Sequence, residues 1–417
     1  MKDILLSAAS NLLNFVFSKG SMVAAGILAS HLTSIENTQT LSIIIATISA
    51  FGTLFQQSVS TASIRYSTQK IIETARYRNI IIALLTILSI PVSIYLYTSH
   101  QLSKSNSILI LAILVSSGIS GKSLANATIQ KEFLKISLIG IAQGITVLSL
   151  TTTIMYLDLS PDLYTIPFLL ASAFWLLIKK RSSNITEKST TIATAISKTL
   201  FPAIFTGIFF LPTIWMLTGY IQNNFGDKEA FLLTTANQWR MTIGILPSIF
   251  GGYLLLLITK KEDLQNSKTL NCAITYYPAI LITIVCSIMA NHLGLIYPES
   301  ISENTNLEKT INLFILASVI TTLKTSISRE MIAAELAVLS IISNLTWAIL
   351  FCCFYFFTFH QDGAYGVSKS FLASQVTHLT LWIPIIIKKK LIPMKFIDKK
   401  FLASIIPLAW ILYKNAT

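Results

Sequence analysis

The chain has 417 residues, of which 53% are hydrophobic and 12% are charged, and its formal net charge is +13. Its mean hydropathy of +0.67 lies far outside the range of soluble globular proteins. This composition predicts a polytopic membrane protein. It argues against nucleic-acid binding, because the basic residues are spread over separate short loops rather than along one face.

Long apolar segments recur along the whole chain. A hydrocarbon core about 30 Å thick needs about 20 apolar residues per helix, so the sequence predicts about twelve spans. The loops between them are short, which leaves no room for a soluble catalytic domain. The predicted spans lie near residues 8–30, 39–60, 79–99, 107–127, 134–156, 163–178, 199–220, 230–257, 270–291, 310–328, 331–358 and 366–387.

The first span carries a polar stripe. Asn11, Asn14 and Ser18 follow one another at steps of three and four, which places them on one face of a helix. Lys19 flanks this stripe near the middle of the membrane. We interpret the stripe as the polar lining of a cavity; the alternative is that it bonds neighbouring helices together.

The fourth span contains the tripeptide Gly-Lys-Ser at 121–123, which is also the end of a phosphate-binding P-loop. The first glycine of that motif is absent, and neither a strand nor a turn is predicted before it. We therefore interpret Lys122 as a lysine within a membrane span. It either faces the lumen or extends from the helix end to the lipid headgroups.

Basic residues collect after the even-numbered spans, whereas the opposite loops are mostly acidic. Because short cytoplasmic loops hold the positive charge, both termini are predicted to be cytoplasmic. The basic loop near the middle divides the chain into two sets of six spans, which would be parallel repeats. The predicted regions are an N-terminal lobe at 1–180, a basic cytoplasmic linker at 181–198, a C-terminal lobe at 199–390, and a basic tail with an interfacial helix at 391–417.

Arg240 in the eighth span is the strongest single signal. It lies about ten residues from either predicted interface, too deep for its side chain to reach the headgroups. Asn237 and Gln238 precede it closely. A charge at this depth is costly unless it faces a bundle interior or an aqueous cavity, so we place Arg240 at a lumen.

Three further polar residues in the later spans are candidates. Lys324 lies nearer the cytoplasmic end of its span, where it could also extend to the headgroups. Glu335 is a candidate coupling group, although Arg329 and Glu330 are close and favour a structural ion pair. His378 lies mid-span and is either a proton relay or a hydrogen-bonded packing residue.

Nothing in the sequence suggests a catalytic residue, a metal site or a cofactor. All four cysteines fall within predicted spans, which suggests neither a disulfide framework nor a metal site. Several cations at depth, with no carboxylate at mid-membrane, suit an anionic substrate, and phosphate or pyrophosphate fits best.

Two stretches resemble segments of Wzx-type flippases, the polysaccharide-repeat transporters of the MOP (multidrug/oligosaccharidyl-lipid/polysaccharide) superfamily. They are ANQWRMTIGILPSIFGGYLLLL at 236–257 and DGAYGVSKSFLASQVTHLTLW at 362–382. The resemblance implies an all-α, MATE-like fold of two six-helix lobes around a central cavity. It also implies a cavity lined with cations, which by position would be Lys19, Lys122, Arg240 and Lys324.

The same resemblance implies a substrate and a location. The substrate would be an undecaprenyl-pyrophosphate-linked oligosaccharide, such as an O-antigen repeat unit. Alternating access would carry it from the cytoplasmic to the periplasmic leaflet of a bacterial inner membrane. Membrane lipids and other membrane proteins of polysaccharide assembly are the expected partners.

Two other functions remain open. A MATE-like, cation-coupled drug antiporter would share this topology but would need an acidic residue within a span, and Glu335 is the candidate. A membrane polysaccharide polymerase or ligase would need a large periplasmic loop for its chemistry. The longest predicted loops have roughly 20 residues, which disfavours an enzyme.

Overall fold

The computed structural model describes residues 2–65, 75–99, 101–177, 189–244, 249–251, 254–255, 257–258, 264–297, 305–334 and 336–416. Throughout these ranges every regular element is helical. A membrane-spanning chain must satisfy its backbone hydrogen bonds internally, and helices do so within one segment. The predicted all-α polytopic architecture is confirmed.

The chain divides into two compact units, Met1–Trp215 and Met216–Thr417. The helices of the first unit are α1 (Lys2–Leu32), α2 (Ile35–Thr47), α3 (Thr53–Arg65), α4 (Ala75–Thr98), α5 (Lys104–Ile129), α6 (Phe133–Tyr156), α7 (Ile166–Ala173), α8 (Ser189–Ala195) and α9 (Phe201–Ile208). The boundary falls within α10 (Leu211–Phe225). The helices of the second unit are α11 (Asp227–Ile243), α12 (Leu264–Ala290), α13 (Thr305–Ala333), α14 (Ala337–Phe354), α15 (Gly363–Lys388) and α16 (Lys399–Ala416).

Nine helical segments of the described chain are long and apolar enough to cross a membrane, judged by length and composition. The difference from about twelve predicted spans has local causes. The predicted span at 366–387 and most of that at 331–358 fall within one helical run, Ala337–Lys388, which contains both α14 and α15 but counts once. The predicted span at 163–178 contains α7, which has only 8 residues, and the span at 230–257 overlaps α11, which has 17.

Glycines bring helices of the first unit close together. A Cβ atom added at Gly140 of α6 would lie 2.3 Å from the Cα atom of Asn14, and one added at Gly144 would lie 2.5 Å from the Phe17 carbonyl oxygen. These distances leave no space for a side chain. Small residues at this spacing allow two membrane helices to approach backbone to backbone, and they fix the contact between α1 and α6.

The second unit is built around α13, which packs against α11, α12 and α15. Its core holds an aromatic cluster formed by Phe314, Trp347, Phe351 and Phe371. Phe314 and Phe351 lie with ring centroids 5.1 and 5.7 Å from that of Phe371. These aromatic contacts connect α13, α14 and α15.

The boundary between the two units lies further along the chain than the predicted linker at 181–198. Leu200 and Ile204, which were assigned to the C-terminal lobe, are buried in the core of the first unit. The indole of Trp215 donates a hydrogen bond to the Thr47 hydroxyl at 2.8 Å. Packing against α2 and α3 therefore holds this segment in the first unit, although its basic, Ser/Thr-rich start has the composition of a linker.

Candidate functional site

Arg240 lies in the last turn of α11 and is buried, with 6% of its surface exposed. Its Nε atom donates a hydrogen bond to Oδ1 of Asn237 at 2.7 Å. The guanidinium carbon lies 5.6 Å from the centroid of the Phe371 ring. Since Asn237 precedes Arg240 by three positions, the two side chains share a face of the helix. The amide and the ring hold the guanidinium in place, the ring through a cation–π contact.

Lys324 projects from α13 toward α15. Its ammonium donates a hydrogen bond to Oε1 of Gln375 at 3.0 Å and lies 5.7 Å from the centroid of the Trp347 ring. Gln375 is fully buried. The partners of this lysine in the described part of the chain are therefore an amide and an aromatic ring, both neutral.

The structure brings Arg240 and Lys324 to one place. Their partners on α15, Phe371 and Gln375, are four positions apart and so lie on the same face. Phe371 also packs edge-on against Trp347, at 5.7 Å between ring centroids. We call this group of five residues the α15 cation cluster; it consists of Arg240, Lys324, Trp347, Phe371 and Gln375.

His378 lies three positions after Gln375 on the same helix. Its Nε2 atom is 2.8 Å from the carbonyl oxygen of Ser343, and its ring stacks on Trp382 at 5.5 Å. A cavity of about 30 Å³ adjoins it and is lined by Lys324, Ser343 and Asn344 among others. His378 is thus a hydrogen-bonded packing residue that also borders a cavity lined by both polar and apolar side chains.

The two candidate lysines of the first unit have different partners. The Lys19 ammonium donates a hydrogen bond to the Thr53 hydroxyl of α3 at 2.8 Å. Lys122 is buried, and its ammonium lies 5.8 Å from the centroid of the Tyr77 ring on α4. Neither contact is with a headgroup-facing loop, since each lysine packs against another helix of its unit.

The polar residues predicted to line a cavity have different surroundings in the structure. Asn14 lies against Gly140 at the contact between α1 and α6, and its Oδ1 atom is buried without a hydrogen-bond partner in the described residues. The carbonyl of Ser18 accepts a hydrogen bond from the Ser21 hydroxyl, whereas Asn11 is half-buried. Gln238 is buried close to Arg240. Asn14 thus lies at the contact between α1 and α6, and the cavity-lining role of the stripe stays a prediction.

Glu335 lies outside the described residues, so its coupling role stays a prediction. Sequence reasoning placed Arg329 in a loop after the span at 310–328. In the structure α13 continues to Ala333 and buries Arg329 and Glu330, so that placement is wrong. The predicted span stopped early because charged residues at 329–330 resemble a helix end.

Arg329 and Glu330 form a polar contact with α12 that sequence reasoning missed. The Arg329 guanidinium donates to Oδ1 of Asn271 and to the Thr275 hydroxyl, each at 2.9 Å. The Lys268 ammonium lies 3.2 Å from Oε2 of Glu330. The three polar partners on α12 are spaced by three and four positions, and that spacing on an otherwise apolar helix was the available signal.

The described residues contain no group of three or more histidine, cysteine or acidic side chains that could hold a metal ion. The four cysteines are free. The α15 cation cluster offers positive charge to a polar or anionic group in an apolar surrounding.

No protein-family model matches the sequence, and no curated protein matches it. Its architecture, however, is shared by solved structures. An outward-facing multidrug resistance transporter of the MATE family aligns with a TM-score of 0.66 at 14% identity, over 98% of this chain and 96% of that chain. A MOP superfamily transporter from Pyrococcus furiosus aligns with a TM-score of 0.64 at 14% identity, over 93% and 96%.

A eukaryotic MATE transporter aligns with a TM-score of 0.62 at 12% identity, over 92% of this chain and 95% of that chain. The alignments extend over nearly the whole of each protein, so they describe the complete architecture rather than one lobe. At identities this low, structural likeness establishes the fold and leaves the substrate open. The chain has the fold of MATE transporters of the MOP superfamily.

Proposed function

We propose that this chain is a membrane transporter that moves a pyrophosphate-linked lipid oligosaccharide, such as an undecaprenyl-pyrophosphate repeat unit, from the cytoplasmic to the periplasmic leaflet of a bacterial inner membrane by alternating access. The observation that carries the proposal is the α15 cation cluster. Within it, the partners of Lys324 in the described residues are the Gln375 amide and the Trp347 ring, both neutral, and Arg240 adds a second cation that contacts α15 at Phe371.

The argument begins with the cost of burying a cation. Removing a cation from water is unfavourable unless an opposite charge or hydrogen bonds offset the loss. Lys324 has only neutral partners in the described residues, so an anionic ligand would restore the missing interaction. Two cations that contact one face of α15 match a headgroup with two phosphates, and the planar guanidinium of an arginine can donate two hydrogen bonds to phosphate oxygens.

Lys19 of the first unit is also a cation whose hydrogen-bond partner is neutral, which supports the proposal of an anionic substrate. Its ammonium is held by the neutral Thr53 hydroxyl. An inside-negative membrane potential adds a driving force, since moving one charge through 100 mV is worth about 2.3 kcal/mol and favours outward movement of an anion. The membrane potential would thus favour export of a pyrophosphate that these cations bind.

A second candidate is a cation-coupled drug antiporter. One observation favours it: the solved structures that share this fold include a multidrug resistance transporter. The P. furiosus transporter, in contrast, is described as having a binding pocket of reverse polarity that suggests a different function. Drug antiport by this chain would need an acidic group free to exchange a cation; the candidate, Glu335, lies outside the described residues, and the buried carboxylate of Glu330 is engaged by Lys268.

The two functions can be separated in cells that lack the chromosomal copy of the gene. Surface polysaccharide and efflux of a cationic dye are measured in parallel, with membrane levels of the protein determined for each strain. The proposal expects the wild-type gene to restore polysaccharide display and Lys324→Gln to fail, while Lys104→Gln, which changes an exposed lysine at the start of α5, restores it. Restored dye efflux without polysaccharide display would favour the antiporter.

A further inference from the structure

The accessible surface of α3 is polar along the whole helix. Its apolar residues, such as Leu54, Phe55 and Val59, are buried. The residues that are exposed or partly exposed all carry polar side chains and recur at steps of three and four, so they share one face. They are Thr53, Gln56, Gln57, Ser60, Thr61 and, at the end of the helix, Arg65. We call the first five of these residues the α3 polar face.

The other side of α3 packs closely against two helices of the first unit, α5 and α9. A Cβ atom added at Gly121 of α5 would lie 2.2 Å from the Gln56 carbonyl oxygen. One added at Gly207 of α9 would lie 1.9 Å from Cδ1 of Leu54. These close approaches fix the rotation of α3 about its axis, and they hold the polar residues on the accessible side.

The α3 polar face is unlike a surface that contacts lipid. On α4 of the same unit, Ile87, Ile90 and Ile94 follow one another at steps of three and four and are 64%, 41% and 56% exposed. An apolar face of that kind is what acyl chains cover. Amides and hydroxyls at membrane depth are costly unless they meet water or a polar partner. The α3 polar face therefore suits contact with water and with a polar ligand.

The hydrogen bond between Lys19 and Thr53 shows the depth of this face. Lys19 lies near the middle of α1, which has 31 residues, and its ammonium donates to the Thr53 hydroxyl at 2.8 Å. At 1.5 Å per residue, Gln57 and Thr61 lie about 6 and about 12 Å from Thr53 along the axis of α3. Half of a hydrocarbon core is about 15 Å. The polar face thus lies within a membrane-spanning helix and not in a loop.

The side chains of this face suit a neutral ligand that is rich in hydroxyl groups. They comprise two amides and three hydroxyls, all of which can both donate and accept hydrogen bonds. The face includes no carboxylate, so a cationic drug would find no opposite charge on it. The Lys19 ammonium adds one positive charge at the end marked by Thr53.

We propose that the α3 polar face binds the glycan of the lipid-linked substrate, with the phosphate nearest Lys19; this inference rests on the proposed function. In such a lipid the first sugar is bonded directly to the pyrophosphate. A phosphate at the Lys19 ammonium therefore places the sugars along α3, beside Gln57 and Thr61. Because a site that hydrogen-bonds a substrate hydroxyl discriminates strongly against ligands that lack it, these two residues select the repeat unit.

The first test measures binding to the purified full-length protein in nanodiscs. The two probes are a polyprenyl pyrophosphate without sugar and the polyprenyl-pyrophosphate oligosaccharide extracted from cells that lack the chromosomal copy of the gene. We expect the wild type to bind the glycosylated probe at least about tenfold more tightly, the effect of one or two hydrogen bonds. The double variant Gln57→Leu, Thr61→Val should bind both probes with the affinity that the wild type has for the sugar-free one. The control variants, Gln130→Leu at the exposed end of α5 and Thr153→Val on the exposed side of α6, should keep the preference.

The outcomes separate this inference from the proposed function. Equal binding of both probes by the wild type, or an unchanged preference in the double variant, would overturn the inference and leave the proposed function standing. A wild type that binds neither probe would contradict the proposed function, and the inference with it.

Cysteine labelling tests whether the α3 polar face meets water. In a chain without its native cysteines, Gln57→Cys and Thr61→Cys should react with a small hydrophilic thiol reagent, whereas Ile90→Cys on the apolar face of α4 should not. The glycosylated probe should slow the reaction at both α3 positions at least about tenfold more than the sugar-free probe does. Equal reaction rates at Gln57 and Ile90, or no protection by the glycosylated probe, would show that this face does not hold the glycan.

Discussion

Phe371 and Gln375 lie one helical turn apart on α15 and contact two cations of the second unit, Arg240 and Lys324. The two cations come from different helices, α11 and α13. A single face of α15 therefore gathers positive charge from two neighbours. If α15 moved relative to α11 or to α13 alone, the surroundings of the cation on that helix would change, and the surroundings of the other cation would stay the same.

Charge can be removed from this cluster without changing its packing. Gln375→Glu is isosteric and would set a carboxylate 3.0 Å from the Lys324 ammonium, where the amide oxygen now lies. The new ion pair should leave the unfolding temperature unchanged or higher, while transport falls at least about tenfold, equivalent to about 1.4 kcal/mol. Transport in cells and the thermal unfolding of the purified variant provide the two readouts. Full transport by the glutamate variant would mean that the charge of Lys324 is not used.

The close approach of α1 and α6 should depend on Gly140. An alanine there would place its Cβ 2.3 Å from the Cα atom of Asn14, so the helices must separate. We expect Gly140→Ala to destabilise the protein by about 1 to 3 kcal/mol, the usual cost of overpacking. Gly20→Ala is the matched control, because nothing lies within 4 Å of its added Cβ and alanine favours a helix by up to about 1 kcal/mol. Equal unfolding temperatures for both variants would argue against this contact.

The ion pair of Lys268 and Glu330 should matter more for stability than for transport. Lys268→Met leaves a carboxylate that is 2% exposed without its charged partner, and we expect a loss of about 2 kcal/mol. Adding Glu330→Gln should recover most of that loss, because a neutral amide needs no counter-charge. Thermal unfolding of the two single variants and the double variant measures this coupling. A double variant no more stable than Lys268→Met would show that the two side chains act independently.

The orientation in the membrane is testable at two described loops. In a chain without its native cysteines, a cysteine replacing Lys131 should be protected from an impermeant thiol reagent in intact cells, and one replacing Asp158 should react. The expectation rests on the basic residues that follow the even-numbered spans. Reaction at Lys131 but not at Asp158 would reverse the predicted topology and place both termini outside.

Sequence reasoning could locate the cations of the cluster because a charge in an apolar run is costly and therefore conspicuous. Arg240 and Lys324 were identified in this way. Their partners could not be identified, since a glutamine such as Gln375 or a tryptophan such as Trp347 is unremarkable within a membrane helix. The helix that each cation contacts depends on tertiary packing, which the spacing of residues within one helix does not predict.

The fold class followed from composition, whereas helix lengths and polar contacts did not. The helical run Ala337–Lys388 was divided into two spans in agreement with the two helices α14 and α15, whereas α13 was ended too soon at Arg329. The error at Arg329 arises because polar residues mark loops on average, although buried polar groups can also form hydrogen bonds from within a helix. Arg329 donates its hydrogen bonds to Asn271 and Thr275, which belong to another helix, α12.

The most direct test of the account is transbilayer movement by the purified protein in liposomes. A short-chain polyprenyl-pyrophosphate oligosaccharide with a fluorescent label is placed in one leaflet, and its arrival in the other is followed by a membrane-impermeant quencher. We expect movement by the wild type, reduced movement by Arg240→Lys, which keeps the charge and loses the planar fork, and background movement by Arg240→Ala, with Arg76→Ala as the exposed-arginine control. Equal movement of an uncharged polyprenyl glycoside, or wild-type rates for a folded Arg240→Ala, would contradict the account.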